Sequence, residues 1–302
     1  MAGDSSTAWS SMTGRAPAWS LAVVAMLSVQ LGAALSVGLF PLVGPAGTAW
    51  LRLTAGALIL LVLVRPSRKD VPRNAIAPLL ALGVATAVMT VAFLAAIDRI
   101  PLGTTVAIEF LGPLTVAAVR AHNRRMLAWP CLALGGVLLL TRPWEGQVDV
   151  LGILFAAVAA AGWGSYILLT QHVGDRVSGV KGLAITIPVA ALVATPVGLP
   201  QAIPGVTWGV VLAAFALAVL LPVLPFALEM LALRRLTATA FGTLMALEPG
   251  FAVVIGAVVL RQLPTLLQLL GVVLVIVAGV GAERRGRRQV DTSPVEGPDR
   301  AG

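Results

Sequence analysis

Two stretches of the chain decide its fold, because each carries an acidic residue and a proline inside a largely apolar run. Residues 96–113 read AIDRIPLGTTVAIEFLGP, and residues 232–249 read ALRRLTATAFGTLMALEP. A carboxylate is costly in hydrocarbon, so acids within a membrane usually face the interior of a helix bundle or a water-filled cavity. Glu109 and Glu248 therefore predict a polar pathway through a membrane-embedded protein.

The composition of the whole chain is that of a membrane protein. Hydrophobic residues make up 58% of the 302 residues and charged residues 11%, with a mean hydropathy of +0.96. Soluble domains carry roughly 25% charged residues, and a membrane-spanning helix needs about 20 mostly apolar residues. The sequence predicts an all-α integral membrane protein with ten transmembrane helices, at residues 19–40, 46–65, 75–97, 101–120, 126–141, 150–171, 182–199, 207–230, 237–260 and 264–282.

The two halves of the chain are predicted to be related. A shift of 136 positions places Arg99 on Arg235 and Pro113 on Pro249, and each half then contains five spans. An odd number of spans inverts the second repeat, and matched interrupted helices in inverted repeats indicate the midplane site of a secondary transporter. The predicted segments are a disordered N-terminus (1–18), two five-helix repeats (19–145 and 146–282) and a basic, disordered tail (283–302).

Both prolines predict a break in a spanning helix. Pro113 cannot donate a hydrogen bond to the carbonyl of Glu109, and Pro249 cannot donate to that of Met245. A carbonyl freed at membrane depth must face protein, water or a ligand. The alternative for each neighbouring acid is a kinked packing helix that holds a protonated, hydrogen-bonded carboxyl group.

Three further polar residues within spans are candidates for the same pathway. Arg52 either snorkels to the outer interface or faces the cavity, where its planar fork suits a carboxylate. Gln30 and Tyr166 lie mid-span and are paired by the shift of 136, although such residues more often form interhelical hydrogen bonds. The candidate substrate contacts are Gln30, Arg52, Glu109, Tyr166 and Glu248.

Other notable residues are assigned to structural roles. Glu229 is predicted to form an ion pair with Arg234 at the inner interface, and Gly162, Trp163 and Gly164 to provide close helix packing.

The sequence predicts neither a metal site nor a cofactor. The single cysteine, Cys131, is expected to pack as a small apolar side chain, and His122 and His172 are expected to be solvated in or beside loops. A membrane enzyme would need a nucleophile with a base, or a set of metal ligands, near an interface. No HExxH motif is present, so an enzyme is not predicted.

The basic residues predict the orientation in the membrane. With ten spans and both termini in the cytoplasm, 17 of the 21 Lys and Arg residues fall on the cytoplasmic side, and Arg99, Arg142 and Arg261 fall outside. This asymmetry follows the positive-inside rule. The net charge of +8 therefore reflects topology, and a nucleic-acid partner is not expected because the charges are scattered over short loops.

Three segments resemble the EamA-type branch of the drug/metabolite transporter superfamily: SVQLGAALSVGLFPLVGPAGTAWLRL (28–53), PLGTTVAIEFLGPL (101–114) and FGTLMALEPG (241–250). The resemblance covers about residues 19–282. It implies ten helices in two inverted repeats, a central cavity and alternating access. It also implies export of small metabolites, chiefly amino acids of the threonine and homoserine kind, across the bacterial cytoplasmic membrane. Gln30, Arg52, Glu109 and Glu248 match positions of the family motifs.

One position departs from the pattern of the family. Related chains usually carry a Gly-Glu pair after the ninth span, where this chain has Arg261 and Gln262. An outer-end acid that could serve proton coupling is therefore missing, although protons remain a candidate coupling ion.

The sequence is compatible with more than one substrate and with either direction of transport. The alternative function is a transporter of an amine, a drug or another metabolite, or an importer. A cationic substrate would favour acids without a partner arginine, whereas Arg52 together with Glu109 and Glu248 favours a zwitterion. The expected partners are an amino acid and membrane lipids, and the oligomeric state is open.

Overall fold

The protein is built almost entirely of helices. The computed structural model describes residues 17–67, 72–120, 124–142, 144, 149–174, 179–233, 236 and 238–285, and these contain no strand. This confirms the predicted all-α class. The helices are α1 Ala18–Ser36, α2 Phe40–Val64, α3 Ile76–Ile97, α4 Leu102–Glu109, α5 Leu111–Arg120, α6 Ala128–Thr141, α7 Val150–Gly174, α8 Gly179–Ala202, α9 Trp208–Ala218, α10 Leu224–Leu233, α11 Ala238–Met245, α12 Glu248–Val259 and α13 Leu266–Arg285.

Much of this helical structure is long and apolar enough to cross a membrane. Five described stretches meet that condition by length and composition: Trp19–Val64, Ile76–Ile97, Leu102–Arg120, Val150–Thr170 and Lys181–Gly205. Four shorter apolar helices accompany them, at Ala128–Thr141, Trp208–Val223, Thr243–Val259 and Leu266–Ala282. The count of ten spans stays a prediction.

Three helical segments are interrupted near their middle, so that each consists of two consecutive helices. A turn at Phe110 separates α4 from α5, three residues before Pro113. A second turn separates α11 from α12, and Pro249 lies in the first turn of α12. The third interruption, between α9 and α10, is a five-residue π-type turn, Val219–Val223, in which Leu221 has non-helical angles (φ −160°, ψ 111°). This third break was not predicted from the sequence.

Several helix ends differ from the predicted bounds. Helix α1 ends at Ser36, and α2 already begins at Phe40 rather than at residue 46, with non-helical angles at Gly44. Helix α13 continues to Arg285, into the segment predicted to be a disordered tail. Residues 1–16 and 286–302 lie outside the described residues, so their disorder stays a prediction.

The helices pack in pairs around the centre of the molecule. Helix α2 packs on α8, α3 on α7, α1 on α10, and α4 on α12. Helices α6 and α13 pack on each other, through Gly136 and Gly271. A Cβ added to Gly271 would lie 2.6 Å from the carbonyl oxygen of Gly136, which leaves room for no side chain. Small residues allow this close approach between apolar helices.

Cys131 and Asp149 lie outside the centre of the molecule. Cys131 on α6 is exposed, so the prediction that it packs within the protein is wrong. At the start of α7, Asp149 accepts a hydrogen bond from the backbone N–H of Gly152 at 2.8 Å and pairs with Arg99 at 3.1 Å. The N–H of Gly152, and secondarily Arg99, hold the pKa of the Asp149 carboxyl below its usual value. This exposed pair adds little to stability.

Candidate functional site: a polar cavity between the helices

A cavity of about 250 Å³ brings all five candidate residues together. Gln30 comes from α1, Arg52 from α2, Glu109 from α4, Tyr166 from α7 and Glu248 from α12. Most of the remaining wall is apolar. The fold therefore assembles polar groups that are far apart in the sequence around one central space.

Glu248 lies at the start of α12 and is held by Gln30. The two side chains are only 6% and 1% exposed, and the Gln30 amide nitrogen Nε2 donates to Glu248 Oε1 at 3.1 Å. Their other oxygens, Glu248 Oε2 and Gln30 Oε1, have no hydrogen-bond partner in the described part of the chain. The helix N-terminus favours a negative charge there. Because unsatisfied buried oxygens cost about 1–3 kcal/mol each, both are poised to bind a donor in the cavity.

Arg52 is buried in the wall of the same cavity. Its side chain is 4% exposed, so the interpretation that it snorkels to the interface is wrong. Nη1 donates to Ser36 Oγ at 3.3 Å, and no carboxylate among the described residues lies within ion-pair distance of the guanidinium. A guanidinium carries five N–H donors, so most of them remain available to a ligand.

Glu109 and Tyr166 face the cavity from α4 and α7. Both are half-buried. The Glu109 carboxylate makes no hydrogen bond with another described residue, but its charge is close enough to interact with those of Arg52 and Glu248. Glu109 thus shares one cavity wall with Arg52 and Glu248.

The packing roles predicted for the centre of α7 agree with the structure. A Cβ added to Gly162 would lie 2.9 Å from Met89 Cβ, so α7 and α3 approach closely at this glycine. Trp163 packs edge-to-face on Phe110, with ring centroids 6.0 Å apart. Trp163 also forms part of the cavity wall, which the sequence analysis did not assign to it.

Glu229 is the cavity residue that the sequence analysis assigned elsewhere. It lines the cavity from α10, whereas the predicted partner, Arg234, lies outside the described residues. The shift of 136 could have found it, because five pairs related by that shift line the cavity. These pairs are Gln30 and Tyr166, Thr86 and Pro222, Met89 and Pro225, Phe93 and Glu229, and Glu109 and Met245.

Comparison with known proteins decides the family. The chain is 38% identical over 270 residues to the threonine/homoserine exporter RhtA of Escherichia coli (strain K12), an alignment that covers 88% of this chain and 91% of that protein. The chain belongs to the EamA-like transporter family. The EamA-like family model matches residues 150–281. The RhtA of Salmonella typhimurium (strain LT2) is 36% identical over 290 residues, covering 94% of this chain and 98% of that protein.

Membership of this family confirms the resemblance that the motifs indicated, and it confirms the predicted functional class. This EamA-like chain is a multi-pass bacterial membrane transporter and not an enzyme. The described residues contain no group of His, Cys, Asp and Glu arranged to hold a metal ion. His122 lies outside the described residues, and the side chain of His172 is likewise outside them, so the expectation that both are solvated stays a prediction.

The cavity of this EamA-like transporter suits a small charged solute. Pockets for drug-sized ligands usually occupy about 300–1,000 Å³, and this one measures about 250 Å³. Three carboxylates (Glu109, Glu229 and Glu248) and one guanidinium (Arg52) line it. Groups of both signs inside one small space can bind the two ends of a zwitterion.

Proposed function

We propose that this transporter exports small zwitterionic amino acids, threonine and homoserine foremost, by alternating access through the central cavity. The observation that carries the proposal is a buried arginine without an ion-pair partner, in the same small cavity as a buried carboxylate with an open oxygen. The similarity to proteins named threonine/homoserine exporters supports the substrate and the direction of transport.

The proposed binding mode uses one charged group for each end of the substrate. The α-carboxylate lies against Arg52, whose planar fork makes two parallel hydrogen bonds to a carboxylate. The ammonium group donates to Glu109 and to Glu248 Oε2, and the latter oxygen has no partner among the described residues. Such charge-assisted hydrogen bonds are about twice as strong as neutral ones.

The proposed architecture is ten spans in two inverted repeats. Trp19–Val64 has 46 residues, more than twice the length of about 20 that one span needs, and its helix is interrupted between Ser36 and Phe40. Counting it twice, with the four other long stretches and the four shorter helices, gives ten. The five cavity pairs separated by 136 positions support a two-fold relation between the repeats.

The pairing of the helices supports the same relation. Exchange of the two repeats maps α1 on α7, α2 on α8, α3 on the α9–α10 pair, the α4–α5 pair on the α11–α12 pair, and α6 on α13. The contacts of α2 with α8 and of α6 with α13 then map onto themselves. The contact of α1 with α10 maps onto that of α7 with α3.

We propose protons as the coupling ion of a secondary active mechanism. Three carboxylates face one guanidinium in the cavity, and a zwitterionic substrate adds no net charge. Uncompensated charge within a membrane is expensive, so protons on the acidic side chains would restore the balance. In this account the missing acid at Gln262 does not prevent coupling, because the acids of the cavity itself carry the protons.

The excess of carboxylates also supports a second candidate function, the export of a cationic amine. An amine would need the acids but not Arg52. The burial of Arg52 within the cavity wall favours the zwitterion, because a lone guanidinium repels a cation.

Overproduction in a bacterium that is sensitive to threonine and homoserine tests the proposed function. We expect tolerance to both amino acids to rise and their intracellular pools to fall. The Arg52→Met variant, expressed at the same level, is the matched control and should give no tolerance. If the parent protein is correctly inserted and changes neither quantity, the proposed substrates are wrong. Tolerance gained only toward amines would support the second candidate.

The proposed topology has both termini in the cytoplasm, since 17 basic residues lie on that side and three on the other. A reporter enzyme that is active only outside the cytoplasmic membrane should be silent when it is fused after Arg288. The same reporter inserted into the connection between α6 and α7, at residues 143–148, should be active. The opposite pattern of activities would refute the ten-span topology.

A further inference from the structure

We infer that Gln201 and Gln262 latch the outer end of the cavity shut and so hold the transporter open toward the cytoplasm. This inference rests on the proposed topology and alternating access. Each glutamine joins two helices that both contribute cavity residues. We call the two contacts the Gln201 latch and the Gln262 latch.

The Gln201 latch joins α8 to α2. Its side-chain oxygen Oε1 accepts hydrogen bonds from the backbone N–H groups of Ala46 at 3.0 Å and Gly47 at 3.2 Å. These N–H groups follow Gly44, whose left-handed φ of 66° interrupts the start of α2, so the helix itself leaves them without acceptors. Helix α2 carries Arg52 further along, so the latch fixes the helix that holds the cationic side of the cavity.

The Gln262 latch joins the segment after α12 to α4. Gln262 Oε1 accepts from the N–H of Leu102 at 3.0 Å, at the first residue of α4. Helix α4 carries Glu109 and α12 carries Glu248, so this latch fixes the acidic side of the cavity. It also explains the departure from the family pattern at this position. The role needs an acceptor oxygen, and an amide supplies one as well as a carboxylate does.

The cavity extends toward the face opposite the latches. Leu183 lines it four residues after α8 begins, and Glu229 lines it four residues before α10 ends. In the proposed topology both positions are near the cytoplasm. Gln201 is at the other end of α8. The latches therefore close one face while the cavity approaches the other.

The two faces also differ in sequence. The positions that correspond to Gln201 and Gln262 in the first repeat, 136 residues earlier, are Arg65 and Met126. Arginine has no acceptor atom, and the methionine sulfur is only a weak one. At these two positions the inner face therefore has no acceptor side chain equivalent to Gln201 or Gln262, and the balance between the two open states favours loading from the cytoplasm, as export requires.

Labelling with a membrane-impermeant maleimide on intact cells tests the latches in the full chain. The background is Cys131→Ala, with Thr48→Cys on α2 or Thr105→Cys on α4 as the reporter. Both threonines are near the latched helix ends and are 0% exposed. Gln201→Ala removes two hydrogen bonds and should speed labelling at residue 48 by about tenfold, and Gln262→Ala, which removes one, should speed it at residue 105 by about threefold. Gln201→Glu and Gln262→Glu retain the acceptor oxygen and should restore slow labelling.

Gln268→Ala is the matched control. Gln268 Nε2 donates to the Leu140 carbonyl at 3.3 Å and so joins α13 to α6, and neither helix contributes a described residue to the cavity wall. Loss of this hydrogen bond should leave the labelling of both reporter cysteines slow. Gln201→Asn, which withdraws the oxygen by one methylene, serves as a second variant if Gln201→Ala does not insert.

Three outcomes would overturn the latches. They are unchanged labelling in the alanine and asparagine variants, an equal increase with Gln268→Ala, and an increase seen only in inverted membrane vesicles. The labelling requires no substrate. A failure of the amino-acid tolerance assay together with faster labelling would therefore refute the proposed substrate and leave the latches standing.

Discussion

Replacing Arg52 with methionine is expected to lower amino-acid export by about 100-fold or more. The substrate carboxylate would enter the cavity without its cationic partner, and an unpaired buried charge costs about 2–5 kcal/mol. A loss of about 2.7 kcal/mol is already a factor of 100. The measurement is the initial rate of transport in proteoliposomes containing equal amounts of inserted protein.

The stability of the same variant separates binding from folding. Arg52 is buried without an ion-pair partner among the described residues, and replacing a buried charge with an apolar residue of similar size is often neutral or stabilising. The midpoint of thermal unfolding should therefore equal or exceed that of the parent. Ser36→Ala removes the acceptor of the Arg52 hydrogen bond, together with the bond that Ser36 Oγ donates to the Gly32 carbonyl, and should retain most transport. Near-normal transport by Arg52→Met would exclude the proposed carboxylate site.

Replacing either central acid with glutamine is expected to lower export by tenfold or more. Glu109→Gln and Glu248→Gln keep size and most hydrogen bonding but remove the charge that binds the ammonium group or a proton. A loss of roughly 1.4 kcal/mol is a factor of ten. Because the two carboxylates interact in one cavity, the double variant should lose less than the product of the two single losses. The measurement is the transport rate of the parent, the two single variants and the double variant, which together form a double-mutant cycle.

The alternative for these acids is a purely packing role. In that case the neutral amide would be tolerated or stabilising, because burying a charge is what costs free energy. Asp149→Asn is the matched control, since Asp149 is an exposed carboxylate outside the cavity. It should transport at the parental rate. Parental transport by Glu109→Gln would assign Glu109 to packing and leave Arg52 and Glu248 as the candidates.

The sequence predicted the residues of the cavity better than it predicted their orientations. Charged and polar residues inside apolar runs stand out because hydrocarbon penalises them, and five such residues do meet in the structure. The direction in which Arg52 points could not be predicted from its position along α2. Snorkelling and burial are both possible near the end of a span, and the packing of other helices on α2 decides between them.

The residues that were missed depend on contacts between distant parts of the chain. Glu229 was predicted to form an ion pair because Arg234 lies close to it in the sequence. The position related to Glu229 by the internal repeat is Phe93, and both residues line the cavity wall. Gln201 accepts hydrogen bonds from residues about 155 positions earlier, and no local pattern marks such a role. Cys131 was expected to be buried because it lies in an apolar segment. When one side of a helix contacts protein and the other contacts lipid, both sides are apolar, so the sequence does not distinguish the buried side from the exposed one.

Counterflow of labelled threonine into proteoliposomes tests most directly that the cavity binds both ends of a small amino acid. Vesicles loaded with unlabelled threonine or homoserine should accumulate the label transiently and saturably. Threonine methyl ester, which lacks the carboxylate, and N-acetylthreonine, which lacks the ammonium group, should compete poorly from outside. Absence of counterflow by inserted protein, or competition by either analogue as strong as that by threonine itself, would contradict a cavity in which Arg52 binds one end of the substrate and the acids bind the other.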